Sequence, residues 1–255
     1  MRVPPPLDVH AHVAPDIDGR ELRALDAHVF AMTRSVAEYS LVADRHDVRT
    51  QWALGTHPGL VRINKSFDAE AFKQAASQAT VIGEIGLDGS SRVPMPDQVQ
   101  VFRRILEAVQ EQPRVLSVHS AGAHFHILRE LHRIPLEGVI LHWWNGSDEL
   151  TDEAVRLGCY FSMPPAMMSS LDVIGRIPVT RILPETDHPS GDRRTRGRKR
   201  PGGVAEVEKR LAQHYGLTES EMRIQFWRNL RTLLDDVGVR DHLGAAWQSV
   251  FDHLG

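Results

Sequence analysis

Two histidines, one residue apart, close the short apolar run Leu7-Asp-Val-His-Ala-His12. In a strand, side chains alternate between faces, so His10 and His12 point the same way, with Asp8 on that face two residues earlier. Two adjacent imidazoles make half of a metal site. Other apolar runs end in the same kinds of donor. His57 stands in Gly55-Thr-His-Pro-Gly59, Glu84 in Gly83-Glu-Ile-Gly-Leu-Asp88, and His119 in Val115-Leu-Ser-Val-His119. His142 ends Val139-Ile-Leu-His142, and Asp187 ends Leu183-Pro-Glu-Thr-Asp187. His10, His12, His119 and His142 with Glu84 and Asp187 suffice for two divalent ions that share a carboxylate. A nitrogen and oxygen set without sulfur suits Zn, Mn, Fe or Ni, and suits Mg less well. Two ions roughly 3.5–4 Å apart activate a water and neutralise charge in an in-line displacement at phosphorus. An aspartate beside that water can orient it and take its proton.

Each residue alone has a plainer reading. One histidine at a strand end is commonly a satisfied structural residue, and His57 before Pro58 could merely shape a turn. Glu185 points with Asp187 by alternation and could be a buried charge partner. His188 and Asp88 could support the ligands or sit solvated in loops. The joint pattern carries the argument, because independent structural accidents would not put six donors at successive strand ends.

The elements that must position these donors follow from periodicity. Apolar runs fit strands at about 7–12, 27–33, 51–56, 80–86, 114–119, 138–142, 159–163 and 179–186. Helical patterns fill most intervals: 35–46, 67–77 with Asp68 as its cap, 97–111 with Val101, Ile105, Leu106 and Val109 on one face, then 123–131, 148–157 and 166–174. Eight strands alternating with helices predict an α/β fold, a single TIM-like (β/α)8 barrel over residues 1–255, whose functional groups gather at the C-terminal ends of the strands. The first crossover is too short for a full helix, and a doubly wound open sheet is the alternative. After Gly202-Gly203 the chain predicts a helix over 204–215, a stop at Gly216, and a Thr218/Glu221 capping box. The helix that follows runs to about Asp236 and presents Ile224, Trp227, Leu230, Leu233 and Leu234. These are extra C-terminal helices packed on the barrel's outside.

Composition narrows the classes. The chain is 42% hydrophobic and 25% charged, with a net charge of −3, which does not suit a generic polyanion binder. Charge is nevertheless concentrated in 192–200, where Arg193, Arg194, Arg196, Arg198, Lys199 and Arg200 face one aspartate. Such a loop is either a local anion contact or a solvated segment. No apolar run approaches a membrane span. The single cysteine, Cys159, excludes a disulfide framework and a thiolate cage. The start of the chain leaves no room for a signal peptide, so a cytoplasmic protein is expected.

Taken together the motifs resemble the TatD family of metal-dependent nucleases. The resemblance runs in order through Asp8-Val-His-Ala-His12, Gly55-Thr-His-Pro58, Gly83-Glu-Ile-Gly-Leu-Asp88, Val118-His-Ser120, Leu141-His142 with Gly146-Ser147, Glu185-Thr-Asp187, the basic segment Arg196-Gly-Arg-Lys-Arg200 and Asn229. It implies a TIM-like barrel with two divalent ions, Zn, Mn or Mg. By position, His10, His12 and Asp187 would hold one ion and His119 and His142 the other, with Glu84 bridging. Asp187 and Glu84 would be the catalytic pair, Asp187 helping to activate the attacking water. The implied activity is hydrolysis of DNA phosphodiesters, commonly 3′ to 5′ on single strands or ends. His57, Trp143, Arg196, Arg198 and Lys199 would contact the DNA, and one of Trp143 and Trp144 could stack on a base while the other is buried. The runs Gly86–Ser90, Leu116–Ser120, His142-Trp-Trp and Cys159–Ser162 look closest to the TatD-like member, QatD, of four-gene Qat anti-phage systems, which implies protein partners in a defence operon.

The chain departs from the family pattern in three places. Ser120-Ala121-Gly122 stands where an arginine usually follows the strand-five histidine, and an arginine there would clamp a phosphate bidentately. Gly89 replaces an aromatic, and Asp187-His-Pro-Ser190 lacks the usual alanine and aromatic. The metal donors are intact, so the departures bear on substrate contacts. Two other functions compete. An amidohydrolase-type enzyme on a small molecule shares the His-x-His start but commonly bridges its metals with a carboxylated lysine, and no predicted strand contains lysine. A non-catalytic barrel subunit of a larger complex would have no use for a full donor set, which is costly to bury without metal.

Overall fold

Strands buried on both faces read as continuous apolar runs, as in parallel sheets covered by helices. All eight runs form strands in the computed structural model, which describes residues 3–169, 171–195 and 199–254. They are β1 (Leu7–His12), β2 (His28–Met32), β3 (Thr50–Leu54), β4 (Val81–Gly86), β5 (Val115–His119), β6 (Val139–His142), β7 (Tyr160–Met163) and β8 (Ile182–Pro184). Each pairs in parallel with the next, in the order β1 through β8. Beyond β8 the chain returns to β1: the Asp187 N–H donates to the His10 carbonyl at 2.9 Å, and the His12 N–H to the His188 carbonyl at 2.9 Å. A doubly wound sheet reverses its strand order midway. This one does not, and the fold is a TIM-like barrel.

The outer layer consists of α1 (Gly19–Arg23), α2 (Val36–Ser40), α3 (Val61–Lys65), α4 (Ala69–Ala76), α5 (Met95–Gln110), α6 (His124–Arg133), α7 (Asp148–Arg156), α8 (Ala205–Tyr215), α9 (Glu219–Val237) and α10 (Ala245–Asp252). The five residues of α1 fit the short first crossover. Asp68 caps α4 by accepting from the Glu70 and Ala71 amides. Thr218 and Glu221 form the capping box of α9, and Gly216 ends α8 with φ 68°. The buried face of α5 is centred on Phe102, Ile105, Leu106 and Val109, with Val101 at its edge.

Two predicted helices differ. The segment 35–46 is helical only over α2, where the Ser40 hydroxyl bonds back to the Val36 carbonyl and the chain then turns. Back-bonding of this kind competes with continuation of the helix. The segment 166–174 forms short 3₁₀ turns at Pro165–Met167 and Asp172–Arg176. Among its described residues no α-helical turn forms. The C-terminal helices do pack on the barrel. Buried Asn229 of α9 donates to the carbonyls of Val179 and Ile182, each at 2.7 Å, and so holds the entry to β8. Among the described residues no helix is long and apolar enough to cross a membrane.

Candidate metal centre

Barrel strands deliver their C-terminal ends to one rim. Two strands reach it through a slip in pairing. Asp8 and Ala11 of β1 face Val29 and Ala31 of β2, and Ile82 and Ile85 of β4 face Leu116 and Val118 of β5. Each slip inserts one residue, which bends the strand and re-aims the side chains inside it. Those segments contain His10 and Glu84. Gly83 permits the close approach, because a Cβ there would lie 2.7 Å from Met32 Sδ and 2.8 Å from Ser117 Cβ.

The Glu84 carboxylate sits at the centre. Its Oε1 lies 2.7 Å from His119 Nδ1 and 3.0 Å from His142 Nε2. Its Oε2 lies 3.1 Å from His12 Nε2, 3.2 Å from His57 Nε2 and 3.9 Å from His10 Nε2. Asp187 Oδ1 is 3.7 Å from His10 Nε2 and 3.8 Å from His12 Nε2. Besides His10–His142–Glu185, two donor groups result, His10–His12–Asp187 and Glu84–His119–His142, each of the three with ligand atoms within 4.8 Å of one another. One oxygen of Glu84 faces each of the latter two.

Supporting contacts fix the ring orientations. Ser117 Oγ meets His10 Nδ1 at 2.7 Å, which turns Nε2 toward the centre. His57 Nδ1 accepts from the Gly59 amide at 2.9 Å, which leaves the proton of a neutral ring on Nε2, facing Glu84. That makes His57 a hydrogen-bond donor rather than a metal ligand. Buried Glu185 accepts from the Ser162 hydroxyl and from the Trp143 amide at 3.0 Å, and lies 3.6 Å from His142 Nδ1. A carboxylate behind a ligating histidine orients it and raises its basicity. Asp8 leaves the donor face. It accepts from the Thr186 amide and hydroxyl at 2.9 and 2.6 Å, and from the Gly202 amide at 2.7 Å. It therefore fastens both ends of the 187–201 segment beside β1. Asp88 Oδ2 stands 3.7 Å from His119 Nε2, at the periphery of the centre, whereas the His188 ring bonds Asp192 Oδ2 at 2.8 Å.

The electrostatics are those of a site awaiting positive charge. Burial alone would raise Glu84, but His57, His119, His12 and His142 hold it well below the usual carboxylate range. Burial, reinforced by the nearby His142, lowers His10 well below the ordinary imidazole value. Asp187 is pushed up to about 7, chiefly by burial. Buried His10 Nε2 has no hydrogen-bond partner although it faces two carboxylates. Burying so many ligand atoms is costly unless a cation meets them. The donor set is nitrogen and oxygen only, and it fits divalent metal ions.

A cleft of about 360 Å³ opens above Glu84 and Asp187. Trp143 lines it, while Trp144 is fully buried and donates to Thr151 Oγ1. Trp143 and Asp187 adopt left-handed backbone, φ 45° and 41°. Such conformations are costly and gather at functional sites. Of the basic loop, Lys199 is exposed and its ammonium donates to the Arg193 carbonyl, whereas Arg196 and Arg198 lie outside the described residues. Sequence reasoning missed Ser117 and left the partner of Glu185 open. The alternation that paired His10 with His12 also puts Ser117 on the face of His119, and that signal was available. Ser120 was legible only as part of the Val118-His-Ser120 motif, and Asn145 of the cleft wall carried no signal.

Comparison with known proteins gives the family and the fold. The family described as TatD related DNase matches residues 7–235. The chain is 28% identical to the deoxyribonuclease TATDN3 of Homo sapiens over 247 residues, covering 85% of this chain and 89% of that protein. Among solved structures, the TatD homologue YJJV of Escherichia coli superposes with a TM-score of 0.77 at 21% identity, covering 89% of this chain and 97% of that one. A TatD family hydrolase of Entamoeba histolytica superposes with a TM-score of 0.72 at 12% identity, covering 90% and 97%. At those identities the two structures speak for the fold alone.

Proposed function

The chain belongs to the TatD-related DNase family, and from that premise we propose that it is a binuclear phosphodiesterase that shortens DNA from its ends, 3′ to 5′ on single strands. The observation that carries this reading is Glu84. Its two oxygens face separate donor groups, His119 with His142 on one side and His10 with His12 on the other. His10, His12 and Asp187 would hold one divalent ion, His119 and His142 the other, and Glu84 both. When bound, such ions supply Lewis acidity and a water of lowered pKa.

The chain's own residues do the rest. Asp187 stands beside the centre, where its carboxylate can take a proton from the attacking water. A new phosphorus–oxygen bond forms as the bond to the leaving oxygen breaks. His57 Nε2–H donates at the rim, where it can meet a phosphate oxygen. Trp143 offers its face to a base. Lys199, with Arg196 and Arg198, draws in the flanking phosphates, a contact that weakens with salt.

Two features weigh against an amidohydrolase on a small neutral molecule. None of the eight strands carries a lysine that could be carboxylated, and the bridge position is Glu84. A full donor set weighs against a non-catalytic subunit. The runs Gly86–Ser90 and His142-Trp-Trp favour anti-phage defence, with protein partners, as the setting. Loss of phage protection in an Asp187→Asn host would support that setting, and retained protection would refute it.

The direct test is digestion of end-labelled single-stranded DNA with Mn²⁺, Zn²⁺ or Mg²⁺, beside Asp187→Asn. A shortening ladder that needs both metal and Asp187 is expected. Intact DNA from protein carrying two ions would overturn the substrate.

A further inference from the structure

We propose that Ser120 and Asn145 form a neutral subsite that takes the base and sugar of the single nucleotide at the scissile bond, with Trp143 as its stacking wall. The inference rests on the phosphodiesterase reading and deepens it.

The argument starts from what the cleft walls are made of. The floor is ionic: His12, His57, Glu84, His119, His142 and Asp187. Above it stand Ser120, Ala121, Trp143, Asn145 and Ser190. Among the described residues no arginine or lysine lines this cleft. The walls therefore cannot grip a phosphate by charge. They suit a flat, uncharged group with hydrogen-bonding edges, which in a nucleic acid is the nucleoside.

Ser120 supplies an independent sign of a ligand. It is 2% exposed, and its hydroxyl has no hydrogen-bond partner although it borders the cleft. A buried polar group without a partner is costly, and such groups call for a function. The oxygen has almost no accessible surface as it stands; turned toward the cleft, a hydroxyl that both donates and accepts would meet a sugar or base oxygen. Across the cleft, Asn145 is held in place, its side-chain oxygen 2.7 Å from His124 Nε2. One end of the amide is thus anchored and the other is left for the edge of a base. The Trp143 backbone is held by its N–H, which donates to Glu185 Oε1 at 3.0 Å, and a base can stack on its indole. The volume, about 360 Å³, lies near the low end for small-molecule sites, about 300–1,000 Å³. It has room for one unpaired nucleotide.

Two substrates separate the subsite from the chemistry. Bis(p-nitrophenyl) phosphate has the diester and no nucleoside, whereas a short oligothymidylate has both. The metal-loaded wild type and the Ser120→Ala and Asn145→Ala variants are compared by kcat/KM on each. The expected result is that the preference for oligothymidylate over the small diester falls about tenfold in each variant, mostly through KM. An unchanged preference in both variants, with wild type active on both substrates, overturns the subsite and leaves the phosphodiesterase standing. If wild-type protein carrying metal hydrolyses neither substrate, the underlying reading fails and the subsite with it.

Discussion

The two ends of the barrel use the same residue type in opposite ways. At the C-terminal rim, His142 sits between Glu84 and Glu185, and these carboxylates outweigh burial and raise it well above the ordinary imidazole value. Beside the N-terminal ends of β1 and β2, His28 lies edge-on to Trp227 and Trp247, with ring centroids 5.0 and 4.7 Å away. Burial there lowers it to about 4. One histidine is arranged to meet charge and the other to exclude it. Around His28, Trp247 also stacks on Phe30, and Trp227 packs on Phe251 and donates to the Pro5 carbonyl. The rim leaves donors facing a cleft, whereas the far end buries aromatic surface. The lesson is that function and stability are assigned to opposite ends of the same strands, as barrels generally permit.

Substitutions at the two ends should therefore separate activity from stability. The largest effect is expected for Asp187→Asn. Turnover on single-stranded DNA should drop roughly 10²–10⁴-fold with little change in thermal midpoint, read by kinetics beside a melt. A lost fold in this variant would blur the two ends. Next is Trp247→Ala, which should cost about 3–5 kcal/mol of stability, a fall in midpoint of roughly 6–20 °C. Its kcat/KM per folded molecule should stay at the wild-type value, and a drop there would break the division.

The third prediction concerns pH. His28 has a folded pKa below its unfolded value, so the unfolded chain binds the proton first. Its contribution is fully present above about pH 6.5 and is lost as pH falls toward 4. Arg49 works in the same direction and Asp26 against it. His28→Phe should narrow the stability lost between pH 7 and 4.5 by up to roughly 3 kcal/mol. Denaturant midpoints across that range measure it, and parallel curves would refute it. The smallest effect is at the substrate approach. Lys199→Ala should lower the slope of log affinity for DNA against log salt by about 1, and an unchanged slope would assign Lys199 to a solvated loop.

The pattern of the site was legible because barrel geometry converts sequence position into place. Histidines that end successive apolar runs must meet on one rim, and His10, His12, His119 and His142 do. The strands and the late helices were equally legible, since turns and caps such as Gly216 and Thr218 are local chemistry. What stayed hidden depends on departures from regularity. The slips in β1 and β4 re-aim His10 and Glu84, and no periodicity announces them. One of them also explains Asp8, which alternation put beside the ligands and which instead fastens Thr186 and Gly202. The helix at 35–46 is shorter than periodicity predicts, because the chain turns after Ser40. Asn145 was invisible because its type is ordinary, and for Ser120 the motif gave the position while only the cleft gives its hydroxyl a meaning.

The central claim is that Glu84 joins two ion sites that act together. The most direct measurement loads metal-stripped protein stepwise with Mn²⁺ or Zn²⁺ and follows bound metal and hydrolysis of single-stranded DNA in the same samples. The account predicts two ions per chain, activity that reaches its plateau only when both are bound, and loss of the second ion in Glu84→Gln. Full activity at one ion per chain, or two ions still bound tightly in Glu84→Gln, would contradict it.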